Sequence, residues 1–431
     1  MGDRGVLENR ALRKPHHACP IEGGRPMTNI FWVHAFASAP QESAAARHFS
    51  LQKDLKKFGI NVSILACKKS HLSPKRPPEY CDKNSSEFIW LPGFSAGGFL
   101  GLRLANIVTF FLCLTFLSKK TAKSADIVVG STPDPLAAFG AYLLAKRLGK
   151  PFVLEIRDAW PETLIKLFNF KPWNPYVLFL GVLEKQLYRS ADLVLTTLPE
   201  ISGHIRRYAS GAEIIHVPNY VARDDIPKTS VTPSESSKTE IIYAGNMGVA
   251  NDMETLLSAA RILEKRGFAD RLIFSIFGNG PMQSYLKSSF ADLNIVKFNE
   301  RIAREKLYER LAQSDAGIIC WKKNSLYRHG ISANKISDYL AVGLPIIMSY
   351  DYVHPIKEKP AGIVVSSEDP CALADAIEIF VKMGNEGRNT LRRNAADLGR
   401  QSFSFPAFGK QLANALITLN QGTSVDDQTR I

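Results

Sequence analysis

From Asn29 onward, short runs of consecutive apolar residues alternate with longer stretches of helical periodicity. The runs are Ile30–His34, Val62–Ala66, Phe88–Leu91, Ile127–Gly130, Phe152–Ile156, Leu193–Thr197 and Ile214–Val217. Helical stretches such as Ser43–Phe58 and Leu136–Leu148 separate most of them. Apolar runs without polar alternation predict strands buried on both faces, as in a parallel sheet covered by helices. Asp224 to Lys238 is rich in Ser, Thr, Pro and charge, and interrupts the series. A second series follows: Ile241–Ala244, Leu272–Phe277, Ile295–Phe298, Gly317–Cys320, Pro345–Met348 and Gly362–Val365. The pattern predicts an α/β fold of two doubly wound domains, 27–217 and 239–405, with a linker at 218–238. A helix over Ala407–Leu419 and a polar tail should close the chain at 406–431. Residues 1–26 have no apolar h-region and read as a disordered leader, with Met27 a candidate start.

Composition adds little to this picture. The 431 residues are 45% hydrophobic and 22% charged, which excludes a disordered, collagen-like or disulfide-scaffold chain. Charge adds more. The net is +13, and residues 1–150 hold 21 Lys+Arg against 10 Asp+Glu, a net of +11. The front third therefore calls for an anionic partner: nucleic acid, a phosphorylated ligand or an acidic membrane surface. Six irregularly spaced cysteines without a CxxC pair point to reduced thiols, and nine histidines without ligand spacing point away from a zinc site. One stretch bears on membranes, Phe99 to Leu117, trailed by Lys119, Lys120 and Lys123. It reads as a helix buried against a sheet, a helix in the membrane interface, or a span; Arg103 and Asn106 make the span expensive.

Ligands of open α/β sheets bind beyond the carboxyl ends of the strands. Beyond the first strand of the second half stands Tyr243-Ala-Gly-Asn-Met-Gly248. Gly245 and Asn246 there either offer backbone N–H groups to an anion or form a turn that serves packing. Gly278 and Gly280, in Phe277-Gly-Asn-Gly-Pro281, are open to the same two readings. The densest constellation is Tyr327-Arg-His-Gly-Ile-Ser-Ala-Asn-Lys-Ile-Ser-Asp-Tyr-Leu-Ala-Val-Gly-Leu-Pro345. Ser332 reads as an N-cap, the helix as about 333–342, and Gly343 as its stop. Lys335 in the first turn opposes the helix dipole, which makes sense beside an anion such as a pyrophosphate. Asp338, three residues on, either accepts from a ribose diol or forms a surface pair with Lys335, Arg328 being merely solvated. In the first half, Asp158 of Leu154-Glu-Ile-Arg-Asp-Ala-Trp-Pro-Glu162 ends a strand, as a turn residue or as a carboxylate facing the interdomain cleft.

These motifs together resemble the GT-B glycosyltransferases of family 4, over residues 28 to about 415. Glu155-Ile-Arg-Asp-Ala-Trp-Pro-Glu-Thr163 with His329-Gly-Ile-Ser-Ala-Asn-Lys335 resembles the bacterial subgroup assembling O-antigen and capsule, including proteins assigned as N-acetyl-L-fucosamine transferases. The resemblance implies two Rossmann-like domains facing each other across a cleft. It implies a nucleotide-sugar donor in the C-terminal half, retention of anomeric configuration, and no metal or other cofactor. Lys335 and the 332–334 amides would stabilise the leaving diphosphate. The family pattern has two glutamates eight positions apart. Here Gly330 holds the first position and Asp338 the second, the ribose-binding one. Backbone groups of Gly330, Ile331 and Ser332 would then serve the sugar, beside Asn334. Phosphate binding would lean on Lys335 and Arg328, and Arg301 would line the base pocket. Asp158 holds the place of a family histidine facing the sugar, so Asp158 and Lys335 are the expected catalytic residues. The loop Ser38–Arg47 would line the acceptor side with Glu42; Arg47 either meets an acceptor phosphate or is a solvated helix residue. The acceptor implied is a lipid-diphosphate-linked saccharide, with the enzyme peripheral on the cytoplasmic membrane face and UDP as carrier. A GT-B sugar-nucleotide epimerase and a basic, non-catalytic nucleic-acid-binding protein are the rival readings; no nucleic-acid motif supports the second.

Overall fold

The computed structural model describes residues 27–37, 47–69, 88–93, 100–117, 124–132, 134–222, 226 and 238–428. Among them, thirteen strands form two sheets, and every strand pair is parallel. The first sheet contains β1 (Thr28–Val33), β2 (Ile60–Cys67), β3 (Phe88–Leu91), β4 (Ile127–Ser131), β5 (Phe152–Ile156), β6 (Leu193–Thr196) and β7 (Ile214–His216). Its order is β3-β2-β1-β4-β5-β6-β7. The second contains β8 (Thr239–Ala244), β9 (Leu272–Phe277), β10 (Val296–Asn299), β11 (Ala316–Cys320), β12 (Ile346–Ser349) and β13 (Gly362–Val365), in the order β10-β9-β8-β11-β12-β13. Every apolar run of the sequence is one of these strands. Each sheet reverses its winding beside its first strand, between β1 and β4 and between β8 and β11. Those two switch points are where ligands of such sheets sit.

The interior explains the apolar runs. All residues of β4 and β5 are buried, because helices cover both faces of the sheet. Each aliphatic side chain so buried contributes roughly 1.5–3 kcal/mol. One residue breaks the rule: Glu155, in the middle of β5, is fully buried. Its carboxylate accepts hydrogen bonds from Trp32 Nε1 at 3.2 Å, Arg47 Nε at 3.2 Å, His48 Nε2 at 2.9 Å and Ser131 Oγ. Burial alone would raise its pKa, but His48 and Arg47 outweigh burial and hold the carboxyl well below the usual range.

The chain end departs from the expected layout. A helix over Phe405–Gln428 carries through most of the stretch read as a polar tail. It crosses back onto the first domain, where Phe405, Phe408, Leu412 and Leu416 pack with Trp32, Leu51 and Leu55. Near its end, Asn420 Nδ2 donates to Thr28 Oγ1 at 3.2 Å. Most of the 218–238 linker lies outside the described residues, as does the 1–26 leader.

The apolar stretch at 99–117 forms a helix over Leu100–Thr115. One face packs on the helix Pro135–Leu148: Gly140 sits against Phe111 and Leu114, and Phe111 stacks on Phe139. Asn106 is buried and donates to the Lys69 carbonyl at 3.2 Å, which removes the cost that made it anomalous. Among the described residues no helix is long and apolar enough to cross a membrane, so the spanning reading is corrected.

Candidate active site

The carboxyl rims of the two sheets meet across a cleft bridged by residues 324–332. Glu162 accepts from Arg328 Nη2 and from His329 Nε2, both at 3.1 Å. The Glu200 amide donates to the His329 carbonyl at 3.0 Å, Asn324 Nδ2 to the Lys166 carbonyl at 3.0 Å, and Asn219 Nδ2 to the Ser332 carbonyl at 2.9 Å. Gly330 has φ +87°, and a Cβ there would lie 2.5 Å from the Pro199 ring. Glycine is therefore required at that point of the domain joint. A cavity of about 500 Å³ opens beside the joint, with Thr197, Asn219, Ser332, His354 and Phe403 in its wall.

On the second rim, the helix Asn334–Ala341 begins beyond β11 and ends where Gly343 turns the chain at φ +66°. Its N-cap is Ala333, with no side-chain cap. Ser332, the expected cap, instead turns into the joint, where its Oγ is buried without a hydrogen-bond partner among the described residues. The first-turn amides are thus left uncapped by any side chain, as an anion site needs.

Lys335 is buried. Its Nζ donates to Tyr243 Oη at 3.1 Å and to Asn251 Oδ1 at 2.5 Å, and lies 4.5 Å from the centre of the Tyr243 ring. The side chain also sits against Gly245, whose added Cβ would meet Lys335 Cε at 3.2 Å. No carboxylate among the described residues pairs with it. Burial without such a partner lowers its pKa to about 7. The alternative of an Asp338–Lys335 surface pair is excluded; Asp338 accepts from Tyr308 Oη at 3.0 Å.

The glycine loops serve packing first. A Cβ on Gly278 would lie 1.9 Å from the Gly245 carbonyl oxygen, and one on Gly280 would lie 2.3 Å from Asn246 Oδ1. The Met247 amide donates to the Asn279 carbonyl at 2.8 Å, locking the two loops together beside Lys335. Asn246 is exposed on the rim, as is Arg301 beyond the edge strand β10. Asn334 is exposed at the helix start, and Ile331 is buried in the core beside it.

On the first rim, Asp158 is exposed one residue beyond Arg157. It has no hydrogen-bond or ion-pair partner among the described residues. Although the residue is exposed, desolvation by the surrounding rim raises its pKa, with the Arg157 charge opposing. The Arg157 guanidinium is half-buried, lies 2.8 Å from His34 Nε2, and makes no ion pair among the described residues.

Two assignments are corrected by this geometry. Arg47 is 5% exposed and bonded to Glu155 and to the carbonyls of Val217 and Pro218, so it is neither solvated nor free for an acceptor. Arg328 spans the joint to Glu162 instead of facing a phosphate. Glu42 lies outside the described residues. Sequence reading missed Tyr243 and Asn251, which hold Lys335, and Arg157, which was legible only as a neighbour of Asp158. Among the described residues no group of three or more His, Cys, Asp or Glu is placed to hold a metal ion.

Comparison with known proteins agrees over both halves. Residues 238–382 match the family model described as glycosyl transferases group 1, and residues 44–219 match the glycosyl transferase 4-like domain. "Probable glycosyltransferase WbjE" of Pseudomonas aeruginosa is 22% identical over 392 residues, 86% of this chain and 95% of that protein. Among solved structures, sucrose-phosphate synthase from Thermosynechococcus elongatus has a TM-score of 0.70 at 16% identity, covering 92% of this chain and 100% of that one. Anabaena Alr3699/HepE, solved in complex with UDP and glucose, has a TM-score of 0.63 at 12% identity, covering 91% of this chain and 100% of that one.

Proposed function

This chain belongs to the GT4-type glycosyltransferases of the GT-B fold, and from that premise we propose that it moves a sugar, with retention, from a UDP-linked donor to a lipid-diphosphate-linked saccharide in surface-polysaccharide assembly. The observation that carries the donor reading is Lys335: a buried ammonium without a carboxylate partner, at an uncapped helix start, beside the loops of the second switch point. A nucleotide diphosphate supplies the anion this arrangement lacks. In this reading Asp338, one turn along that helix and bonded to Tyr308, accepts from the ribose. The glycosidic bond from the anomeric carbon to the donor phosphate breaks, and the acceptor oxygen bonds to that carbon. The acceptor proton passes to the leaving phosphate oxygen. Lys335 and the first-turn amides stabilise the charge that builds on the departing diphosphate. Asp158 faces the positive charge developing at the anomeric carbon. On the acceptor side, Arg157, which contacts His34 and makes no ion pair among the described residues, takes the anion-binding role first sought at Arg47.

Direct assay tests this. A panel of nucleotide sugars is offered with membrane-extracted lipid acceptors and read by mass spectrometry. One sugar added to a lipid-linked saccharide from a UDP donor is expected. Epimerised or hydrolysed UDP-sugar without any transfer overturns the reading in favour of the epimerase.

Donor binding should also take up a proton. The free enzyme loses the Lys335 proton above about pH 7, and a bound diphosphate restores it. With UDP-glucose as probe, uptake approaches one proton at about pH 8 and vanishes at about pH 6. Above pH 7 the affinity falls up to about tenfold per pH unit. Calorimetry in buffers of different ionisation enthalpy measures this; uptake independent of pH removes Lys335 from the phosphate site.

A further inference from the structure

The helix Pro175–Ser190 is apolar on both faces over residues 175–183, beyond which Lys185, Gln186 and Arg189 are exposed. Val177, Leu180, Leu183 and Leu187 point into the core, while Leu178, Phe179 and Val182 point outward and are at least half exposed. The loop before it adds Phe168 and Trp173, the latter 70% exposed. A helix apolar all round is normally covered on every side, and a contiguous exposed apolar patch marks an interaction surface. The helix Leu100–Thr115 repeats the pattern, with Leu104, Val108 and Leu112 exposed along its outer side and Phe116 exposed just beyond its end. Both helices pack against Pro135–Leu148, so the two patches share one face of the first domain.

Charge decides what covers this face. No Asp or Glu occurs between Glu87 and Asp126, between Asp134 and Glu155, or between Glu162 and Glu184. Glu184 is itself buried, accepting from Tyr188 Oη at 2.8 Å with His204 Nε2 at 3.1 Å. Lys166, Lys171, Arg103 and Arg147 stand among the apolar residues, and the Lys171 ammonium lies 6.0 Å from the centre of the Trp173 ring. Exposed aromatic and aliphatic side chains, cations and no anions form the chemistry of a surface that sits in the headgroup layer of an anionic bilayer. A partner protein of mixed surface charge would not demand the absence of every exposed carboxylate over three elements.

We propose that the loop Phe168–Trp173 and the outer side of Pro175–Ser190, with the outer side of Leu100–Thr115, dock this enzyme on anionic lipid. The loop begins ten residues beyond Asp158, just after the short helix whose Glu162 joins the two domains. Docked by it, the mouth of the cleft opens at the bilayer surface, where a lipid-borne acceptor presents its phosphates. This use of the surface rests on the lipid-linked acceptor proposed above; the docking does not.

Co-sedimentation of the full chain with vesicles tests it, without donor or saccharide. Vesicles of phosphatidylglycerol with phosphatidylethanolamine should carry the protein down, and pure phosphatidylcholine vesicles should carry at least tenfold less. The triple variant Trp173→Ser, Phe179→Ser, Val182→Ser should lose at least tenfold in partition to the anionic vesicles, with circular dichroism and thermal midpoint unchanged because all three side chains are exposed. Lys166→Glu with Lys171→Glu should lose about tenfold or more. Protein that stays in the supernatant, or a triple variant that binds like the parent, overturns the proposal. So does a lipid-independent dimer that the triple variant dissolves in sedimentation velocity, since that gives the face to a second copy of the chain. Failure here leaves sugar transfer untouched, and failed transfer to a water-soluble acceptor analogue leaves docking untouched.

Discussion

Lys335→Met lowers kcat/KM for sugar transfer by about 10³-fold while the folded state persists and its thermal midpoint does not fall. The catalytic part follows from position. Lys335 is the cation at the helix start, and removing one preorganised donor from a developing anion typically costs 10²–10³-fold in rate, about 3–4 kcal/mol. Both turnover and donor affinity should suffer, because the diphosphate is charged in ground state and transition state alike. The stability part follows from burial. Lys335 has a folded pKa of about 7, against roughly 10.4 in an unfolded chain. Between those values the unfolded chain binds more protons, so for this group stability rises with pH across that window and is lowest below about 7. Methionine fills similar volume without the charge and removes that cost. Tyr243→Phe, which keeps the ring under Lys335 but loses the bond at 3.1 Å, should lose only a few-fold. Steady-state kinetics and a thermal melt decide the matter; near-normal turnover in Lys335→Met removes it from the diphosphate site.

The strands were legible because a parallel sheet hides both of its faces, so each strand prints a continuous apolar run into the chain. The glycine turns and Lys335 were legible for a related reason. Backbone geometry admits few residues in a tight turn, and a cation in a helix's first turn needs an explanation. Arg47 was misread because its helix, Arg47–Lys56, buries polar residues as well as Leu51 and Leu55. Nothing in its periodicity distinguishes a buried arginine from a solvated one. The missing signal lay elsewhere, in Glu155: a carboxylate inside an apolar strand must find cations, and Arg47 and His48 are the ones it found. Arg328 was misread for want of its partner, since Glu162 lies more than 160 positions away in the chain and the joint that unites them exists only after both domains fold. Tyr243 was hidden in the opposite way. As a strand residue it reads as core, which it is; only the fold reveals that its hydroxyl also holds Lys335.

Asp158→Asn lowers kcat by about 10²–10³-fold and leaves donor affinity within about threefold. The split separates the reacting carbon from the diphosphate. Asp158 stands on the first sheet's rim, at the carboxyl end of β5, while Lys335 stands on the second sheet's rim, and it has no hydrogen-bond or ion-pair partner among the described residues. An exposed rim carboxylate without a partner among the described residues is available to positive charge that appears only during reaction, which is where an electrostatic contribution raises kcat. Asparagine keeps the shape and removes the charge. The pH profile carries an independent signature. Desolvation at the rim raises the pKa of the exposed Asp158 while Arg157 opposes the rise, so the ionised form is lost at a higher pH than for an ordinary carboxyl. Turnover of the parent enzyme should therefore fall as pH drops through that raised value, and the acid limb should be absent from the residual activity of Asp158→Asn. Rates across pH, paired with equilibrium binding of UDP-glucose, measure both parts. An acid limb that survives the substitution assigns it to another group. A variant that loses donor binding but keeps kcat places Asp158 in the donor pocket, away from the anomeric carbon.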